Sequence, residues 1–474
     1  MYRFLLSVLA LVPVSLFAAH PYELDHEKRA LVADGKIIRL FNHPVESLCH
    51  TKTPEGEYLF LTDDELGIHQ LRVLEDEVTY IRKINVNPDT KKCAIVDDHV
   101  YYLDATSGVW RFPVNEEAPD GSEPVWLLQA QLDDEYLSVQ KVKEGIQIEL
   151  MLEGRPLRKT LDTPAQRVVY PSVTPSLETE VVPDIGDIAD DPAIWVHPED
   201  PGLSLIIGTD KARGLRVYDL AGNQRQELLV GQLNNVDLGR IGNTTIAVAS
   251  NRTNKTIDLF RLNKQSQEFS YLDSQPVELD DPYGLCVATL NDSLNIFVGG
   301  KDGTLQWWRF DGMNFSLTDT TNLPSQTEGC AMDYNTGQLF IGVEAEGIWR
   351  FSLEGNRFTQ VSITRTDRLT PDVEGLAVYE SLLVASSQGD DSYVLFDLAT
   401  MKPVIKFRIA SDPEKGIDGA SETDGLEVTS LPLPGYPRGI LVVQDGRNRM
   451  PDETQNFKIV DMRDVLSLLD QSSR

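Results

Sequence analysis

The chain has 474 residues with 43 Lys and Arg against 74 Asp and Glu, a formal net charge of −31 at pH 7. That length exceeds what one hydrophobic core usually serves and predicts two domains. The charge excludes nucleic acid as a partner, because phosphate backbones are gripped by clustered Lys and Arg.

Arg3, followed by the apolar run FLLSVLALVPVSLFAA with its small-residue end, reads as a signal peptide over residues 1–19. The run is short for a membrane span, and no later apolar stretch is long enough. The expectation is a secreted or periplasmic protein, with no membrane association after cleavage. Export permits disulfides among Cys49, Cys93, Cys286 and Cys330. Their pairing stays open, and buried free thiols are the alternative.

Residues 20–162 carry a weak strand–turn–strand repeat: YLFLTDDELGIHQLRV from Tyr58, VYYLDATSGVWRFPV from Val100, and a third unit from KIIRLF with the strands near Ile146. Three blades cannot close a ring, so this segment is a partial propeller or another β-fold. The stretch DTPAQRVVYPSVTPSLETE, with three prolines and a Ser/Thr bias, supplies a linker at 163–177. Six clearer units follow, beginning at Leu205, Ile246, Ile296, Leu339, Leu382 and Gly439. Their spacing is near the ~40–50 residues of one four-stranded propeller blade, and no helical period interrupts them. The predicted fold is all-β: a six-bladed β-propeller over 178–474, preceded by a smaller β-rich domain of about three blade-like repeats.

A polar turn precedes each of the six units: Asp190 and Asp191; Asn234, Asn235 and Asp237; Asp280, Asp281 and Tyr283; Glu328; Asp372 and Glu374; Glu422 and Asp424. In a propeller such turns converge at one mouth of the central channel. One acidic turn alone is an ordinary solvated turn; six at equivalent positions predict a metal site. Oxygen ligands without His or Cys select calcium or magnesium, and loops from six blades favour the larger, flexible calcium shell. Lys211, Arg252 and Lys301 occupy equivalent positions in the first three units. As isolated residues they are surface cations; gathered beside a metal cluster they suit a phosphate ester.

The motifs DIADDPAIWV, QLNNVDL, ASNR, SQTEG, DVEGL, ASSQG, TDGL and QNFKIV resemble those of the β-propeller phytases, the calcium-dependent alkaline 3-phytases. The resemblance runs from about Glu178 to Val465, blade by blade. It implies several calcium ions at the channel mouth, a calcium-bridged water attacking one phosphate, and a neighbouring site for a second. It also implies phytate, presented as its calcium complex, as substrate, and bound cations reconcile that polyanion with an acidic protein. Carried over residue by residue, the resemblance gives Lys211, Arg252, Tyr283, Lys301 and Glu328 catalytic roles. Arg213 and Gln388 join Lys211, Arg252 and Lys301 in binding substrate. The implied metal positions are Asp190, Asp191, Asn235, Asp237, Glu328, Asp372, Glu374, Asp418 and Asp424.

Three departures bear on the second phosphate site and on one calcium site. Ala212 stands where the family often has a second Lys, with Arg213 following. Val343 and Ala345 replace possible ligands in VEAEGIW. Gly239 separates the NNVD motif from Arg240. The N-terminal segment lacks the acidic turns, its equivalents reading VESLCHT and TKKCAIV, and resembles the incomplete, non-catalytic accessory domain of two-domain members. Two other functions fit a calcium-loaded six-bladed propeller: a lactonase, and a non-catalytic binding module. Neither gives Lys211, Arg252 and Lys301 a reason to gather.

Overall fold

The computed structural model describes residues 22–472, except 43, 64–66, 75–76, 87–89, 120, 129–131, 133–135, 165–168 and 451. The expected signal peptide lies outside the described residues. The chain divides into two compact units. One holds residues up to Val78, Lys83–Pro113 and residues 120–163; the other holds Thr79–Arg82, Val114–Pro119 and Pro164 onward.

The second unit contains six sheets among the described residues, each built on consecutive antiparallel strands, with one added strand in sheet five and one in sheet six. Sheet one runs from Ala189–Trp195 to Gln224–Leu229, sheet two from Leu233–Ile241 to Glu268–Pro276, and sheet three from Pro282–Leu290 to Phe315–Asn322. Sheet four runs from Thr327–Asp333 to Thr359–Thr364, and sheet five from Leu376–Tyr379 to Pro403–Ile409. Sheet six comprises Leu426–Val428, Ile440–Asp445 and Asn456–Asp461. Its fourth strand is Leu177–Glu178, which pairs antiparallel with Ile459 and Lys458. The first strands of successive sheets touch, and that of sheet six meets that of sheet one, completing the circuit. Circular closure leaves few edges to manage.

The repeat legible in the sequence is the middle hairpin of each sheet. Strands such as Leu205–Asp210 and Ile440–Asp445 are buried along their whole length and open on apolar runs that end in buried polar residues. The outer Gln224–Leu229 alternates between half-buried and exposed residues and carries a weaker signal. The segment expected to be a plain linker contributes structure: Ser172–Val173 adds a parallel fifth strand to sheet five beside Arg408 and Ile409.

The first unit has four sheets among the described residues. Those built from Val45–Lys52 through Glu77–Asn85 and from Thr90–Val96 through Glu123–Leu127 have four strands each. The expected third repeat, joining KIIRLF to the strands near Ile146, does not form. Lys36–Leu40 belongs to a three-stranded sheet with Tyr22–Asp25 and Ala30–Ala33, and Gly145–Leu152 belongs to another with Leu137–Val142 and Arg155–Leu161. Each strand pairs with its sequence neighbour across a short turn.

The four cysteines are paired as Cys49–Cys93 and Cys286–Cys330, each with a separation of 44 residues. Each bridge joins the first strands of two successive four-stranded sheets, one within each unit.

Candidate active site at the channel mouth

The site is built on β-bulges. In sheets one to four, three steps along the first strand match two along its partner: between Ala189 and Pro192, Leu233 and Val236, Pro282 and Leu285, and Thr327 and Cys330. A bulge re-aims side chains out of strict alternation. The bulged pairs are Asp190–Asp191, Asn234–Asn235, Tyr283–Gly284 and Glu328–Gly329. Glu374–Gly375 and Asp424–Gly425 stand at the corresponding places just before Leu376 and Leu426.

The first member of each pair faces a shared centre. One carboxylate oxygen each from Glu328, Glu344 and Glu374 lies within 4.8 Å of the others. Asn234 Nδ2 donates to Glu328 Oε1 at 2.8 Å. Lys211 Nζ lies 2.5 Å from Asp187 Oδ1 and 3.2 Å from both Asp190 Oδ2 and Asp424 Oδ2. Gln388 Nε2 donates to the other oxygen of Asp424. Asp372 adds its charge beside Glu344 and Glu374.

Three of these groups are dry: Asp190 is 1% exposed, Glu328 3% and Glu374 6%. Burial, compounded by Asp190, Glu374 and Glu344, pushes the Glu328 carboxyl well above its ordinary range. Burial and Asp372 push Glu344 up to about 7. Burial raises Asp424 to about 8 against the opposing pull of Lys211. Burial works against the Lys211 charge too, but Asp190, Asp424 and Asp187 hold its ammonium far above the usual range.

Three buried oxygens of the cluster, Asp190 Oδ1, Asn234 Oδ1 and Glu328 Oε2, have no hydrogen-bond partner. Repelling carboxylates with orphan oxygens fit a hard divalent cation.

The cationic side lies on sheets two and three. Arg252 grips Asp281 bidentately, Nε to Oδ1 at 2.9 Å and Nη2 to Oδ2 at 2.8 Å. Its guanidinium sits 5.1 Å from the Tyr283 ring centroid, and Lys301 Nζ sits 4.5 Å from it. Lys301 is 44% exposed along its side chain and 3.8 Å from Asp281 Oδ2. A cation-flanked aromatic next to a carboxylate cluster can hold a phosphate ester against metal.

A sequence profile of the Phytase family matches residues 161–473, the six-sheet unit almost entirely. The chain belongs to the Phytase family. It is a phosphoric monoester hydrolase of that family, and it is 36% identical over 323 residues to the 3-phytase of Bacillus subtilis (strain 168), covering 62% of this chain and 84% of that protein. Among solved structures, the computationally designed Ika8 protein is 11% identical with a TM-score of 0.32, over 89% of this chain and 97% of that one. A chain of a nidogen/laminin complex is 14% identical with a TM-score of 0.37, over 61% and 96%. At those scores neither bears on the phytase fold, which rests on its own strand pairing.

Several sequence candidates of this phytase stand apart from the centre. Asp191 and Asn235, the second members of their bulges, line a cavity of about 20 Å³ together with Asp237 and Glu427. Asp237 accepts from the backbone N–H of Leu238 at 2.6 Å and of Val287 at 2.7 Å. Asp418 lies in a second buried acidic group with Glu117 and Asp445, where it meets Lys458 Nζ and accepts from Arg449 N. Arg213 is paired with Asp184 at 2.5 Å.

Two participants were not foreseen, Asp187 and Glu344, and Asn234, named among the turn residues, was not among the implied metal positions. Glu344 stands between the Val343 and Ala345 that made its segment look stripped of ligands, and it follows the strand Gln338–Val343 much as Lys211, Arg252 and Lys301 follow theirs. That equivalence was the available signal.

Arg252→Lys keeps the charge but loses the planar fork. It should lower kcat/KM on phytate by about tenfold, the cost of one lost bidentate contact of about 1.4 kcal/mol. Steady-state kinetics check this, and unchanged kcat/KM would reduce Arg252 to a steering charge.

Proposed function

We propose that this phytase is exported after loss of residues 1–19, removes phosphate groups from phytate at the channel mouth, and requires calcium to do so. In this reading residues 178–474 carry the chemistry, 163–177 link, and 20–162 form an accessory domain without the acidic ring. Among the described residues no helix is long and apolar enough to cross a membrane, and the two disulfides fit an oxidising compartment.

The observation that carries the reading is the Glu328, Glu344 and Glu374 cluster with its orphan oxygens, beside Lys211, Arg252, Tyr283 and Lys301. Calcium bound there would supply charge neutralisation and Lewis-acid polarisation of a phosphate and a water. Glu328, Glu344 and Glu374, with Asp190, Asp372 and Asp424, are the residues that would hold it. Arg252 and Lys301 would neutralise the non-bridging oxygens of the reacting phosphate and orient it over Tyr283. Lys211 pulls Asp190 and Asp424 toward the ionised form against the effect of burial, and fixes them in place. A lactonase has no use for this cationic side.

Phosphate release from phytate should require added calcium and vanish in excess chelator, while lactones stay closed in either condition. Full release in excess chelator would overturn the calcium requirement.

The same titration has a pH dependence with a definite sign. Glu344 at about 7 keeps a proton in the folded state that the unfolded chain has lost above 4.5. Through Glu344 the calcium-free protein therefore loses stability as pH rises from about 4.5 through about 7. Calcium must displace those protons, so its affinity should rise from about pH 5 to about pH 8. Calorimetry at three pH values reads this directly.

A further inference from the structure

The four bulges and entries that carry Tyr283, Glu328, Glu374 and Asp424 share a feature. The next residue in each is glycine: Gly284, Gly329, Gly375 and Gly425. None has a positive φ, so backbone conformation does not call for glycine. Space does. A Cβ on Gly284 would lie 2.1 Å from Glu328 O and 2.6 Å from Glu328 Cα. On Gly329 it would lie 2.5 Å from Glu374 O and from Leu376 N. On Gly375 it would lie 2.6 Å from Leu426 N and 3.0 Å from Asp424 O, and Gly375 N donates to that same carbonyl at 3.1 Å. On Gly425 it would lie 2.5 Å from Asp191 Cα and 2.7 Å from Asp190 O.

Each glycine thus presses against the backbone of the site residue in the next sheet. The series runs Tyr283 to Glu328, Glu328 to Glu374, Glu374 to Asp424, and Asp424 back to Asp190. Backbone atoms cannot rotate away from a new methyl group, so the strands themselves would have to part. The residues held this way include Glu328 and Asp190, whose Oε2 and Oδ1 are buried without a partner.

We propose that Gly284, Gly329, Gly375 and Gly425 are positioning residues that set the radius of the carboxylate ring and so its affinity and size preference for the divalent cation. The proposal rests on the calcium reading above. The cation sees the glycines only through the spacing of oxygens on adjacent sheets. Closing the strands brings the oxygens of Glu328 and Glu374 within one coordination sphere; opening them by a few tenths of an ångström favours a larger ion. Ligand and support placement of this kind is worth roughly 10–100-fold in metal affinity.

The test is calorimetric binding of calcium and of strontium to the full chain and to four variants. Gly329→Ala and Gly375→Ala should weaken calcium about tenfold or more while weakening strontium less. Gly342→Ala places its methyl 3.0 Å from Glu374 O and Val373 O, a crowding that small shifts absorb, and should give a smaller change in the same direction. Gly239→Ala has side chains as its nearest neighbours, those of Leu294, Val287 and Thr289 at 2.4, 2.8 and 3.4 Å. It should lower the thermal midpoint and leave both affinities alone. Should Gly329→Ala or Gly375→Ala not fold, Gly342→Ala still decides. A wild-type calcium-to-strontium ratio in folded Gly342→Ala, or in folded Gly375→Ala, would overturn the proposal. Absence of calcium binding by the unaltered chain would instead overturn the calcium reading.

Discussion

Glu328→Ala should lower kcat for phosphate release from phytate by about a hundredfold or more at saturating calcium. Glu328 occupies the middle of the carboxylate group. Its Oε1 takes the Asn234 amide proton at 2.8 Å, and its Oε2 is buried with no partner in the protein. Truncation removes a ligand oxygen from the centre and deprives Asn234 Nδ2 of one of its two acceptors. The same change relieves repulsion with Asp190, Glu374 and Glu344. The calcium-free variant should therefore melt higher than the calcium-free parent, while gaining less from added calcium. Kinetics and thermal unfolding with and without calcium check both halves. A near-normal kcat would remove Glu328 from the chemistry.

The second large effect belongs to Lys211→Met. Lys211 is 8% exposed and is the cation in contact with Asp187, Asp190 and Asp424 together. Removing one partner of a buried ion cluster leaves charges uncompensated, at a cost of about 3–5 kcal/mol. The loss should be greatest at alkaline pH. Asp424, already raised to about 8 with Lys211 present, would rise further without it, so the folded variant takes up protons and recovers stability as pH falls. Denaturant titration at two pH values measures this. Activity should fall with it, because Asp190 and Asp424 lose the contact that fixes them. Unchanged stability at pH 8 would show that solvent, not Lys211, compensates those carboxylates.

The middle hairpins of all six sheets were legible because each pairs a largely apolar strand, such as Ile440–Asp445, with a second strand across a turn of Gly or polar residues. The closing strand was not, since Leu177–Glu178 is two residues long and gains its identity only from Ile459 and Lys458. The acids at the mouth were legible as a positional pattern in six turns. Which member of each pair faces the centre was not. Strict alternation puts Asn235 and Asp237 on one face, but the register slip between Leu233 and Val236 brings Asn234 to Glu328 instead. Asp418 matched a family position, yet long-range packing assigns it to Lys458, Asp445 and Glu117, residues far away in sequence. The glycines were visible as letters in TEG, VEG and TDG. What each excludes depends on the neighbouring sheet, which no local pattern encodes.

The central claim is that calcium sits among Glu328, Glu344 and Glu374. Crystals soaked in calcium and measured for anomalous scattering test it most directly. The account predicts a peak within coordination distance of oxygens from all three residues, lost in crystals of Glu328→Ala. Peaks confined to other parts of the protein, with none between these carboxylates, would contradict it.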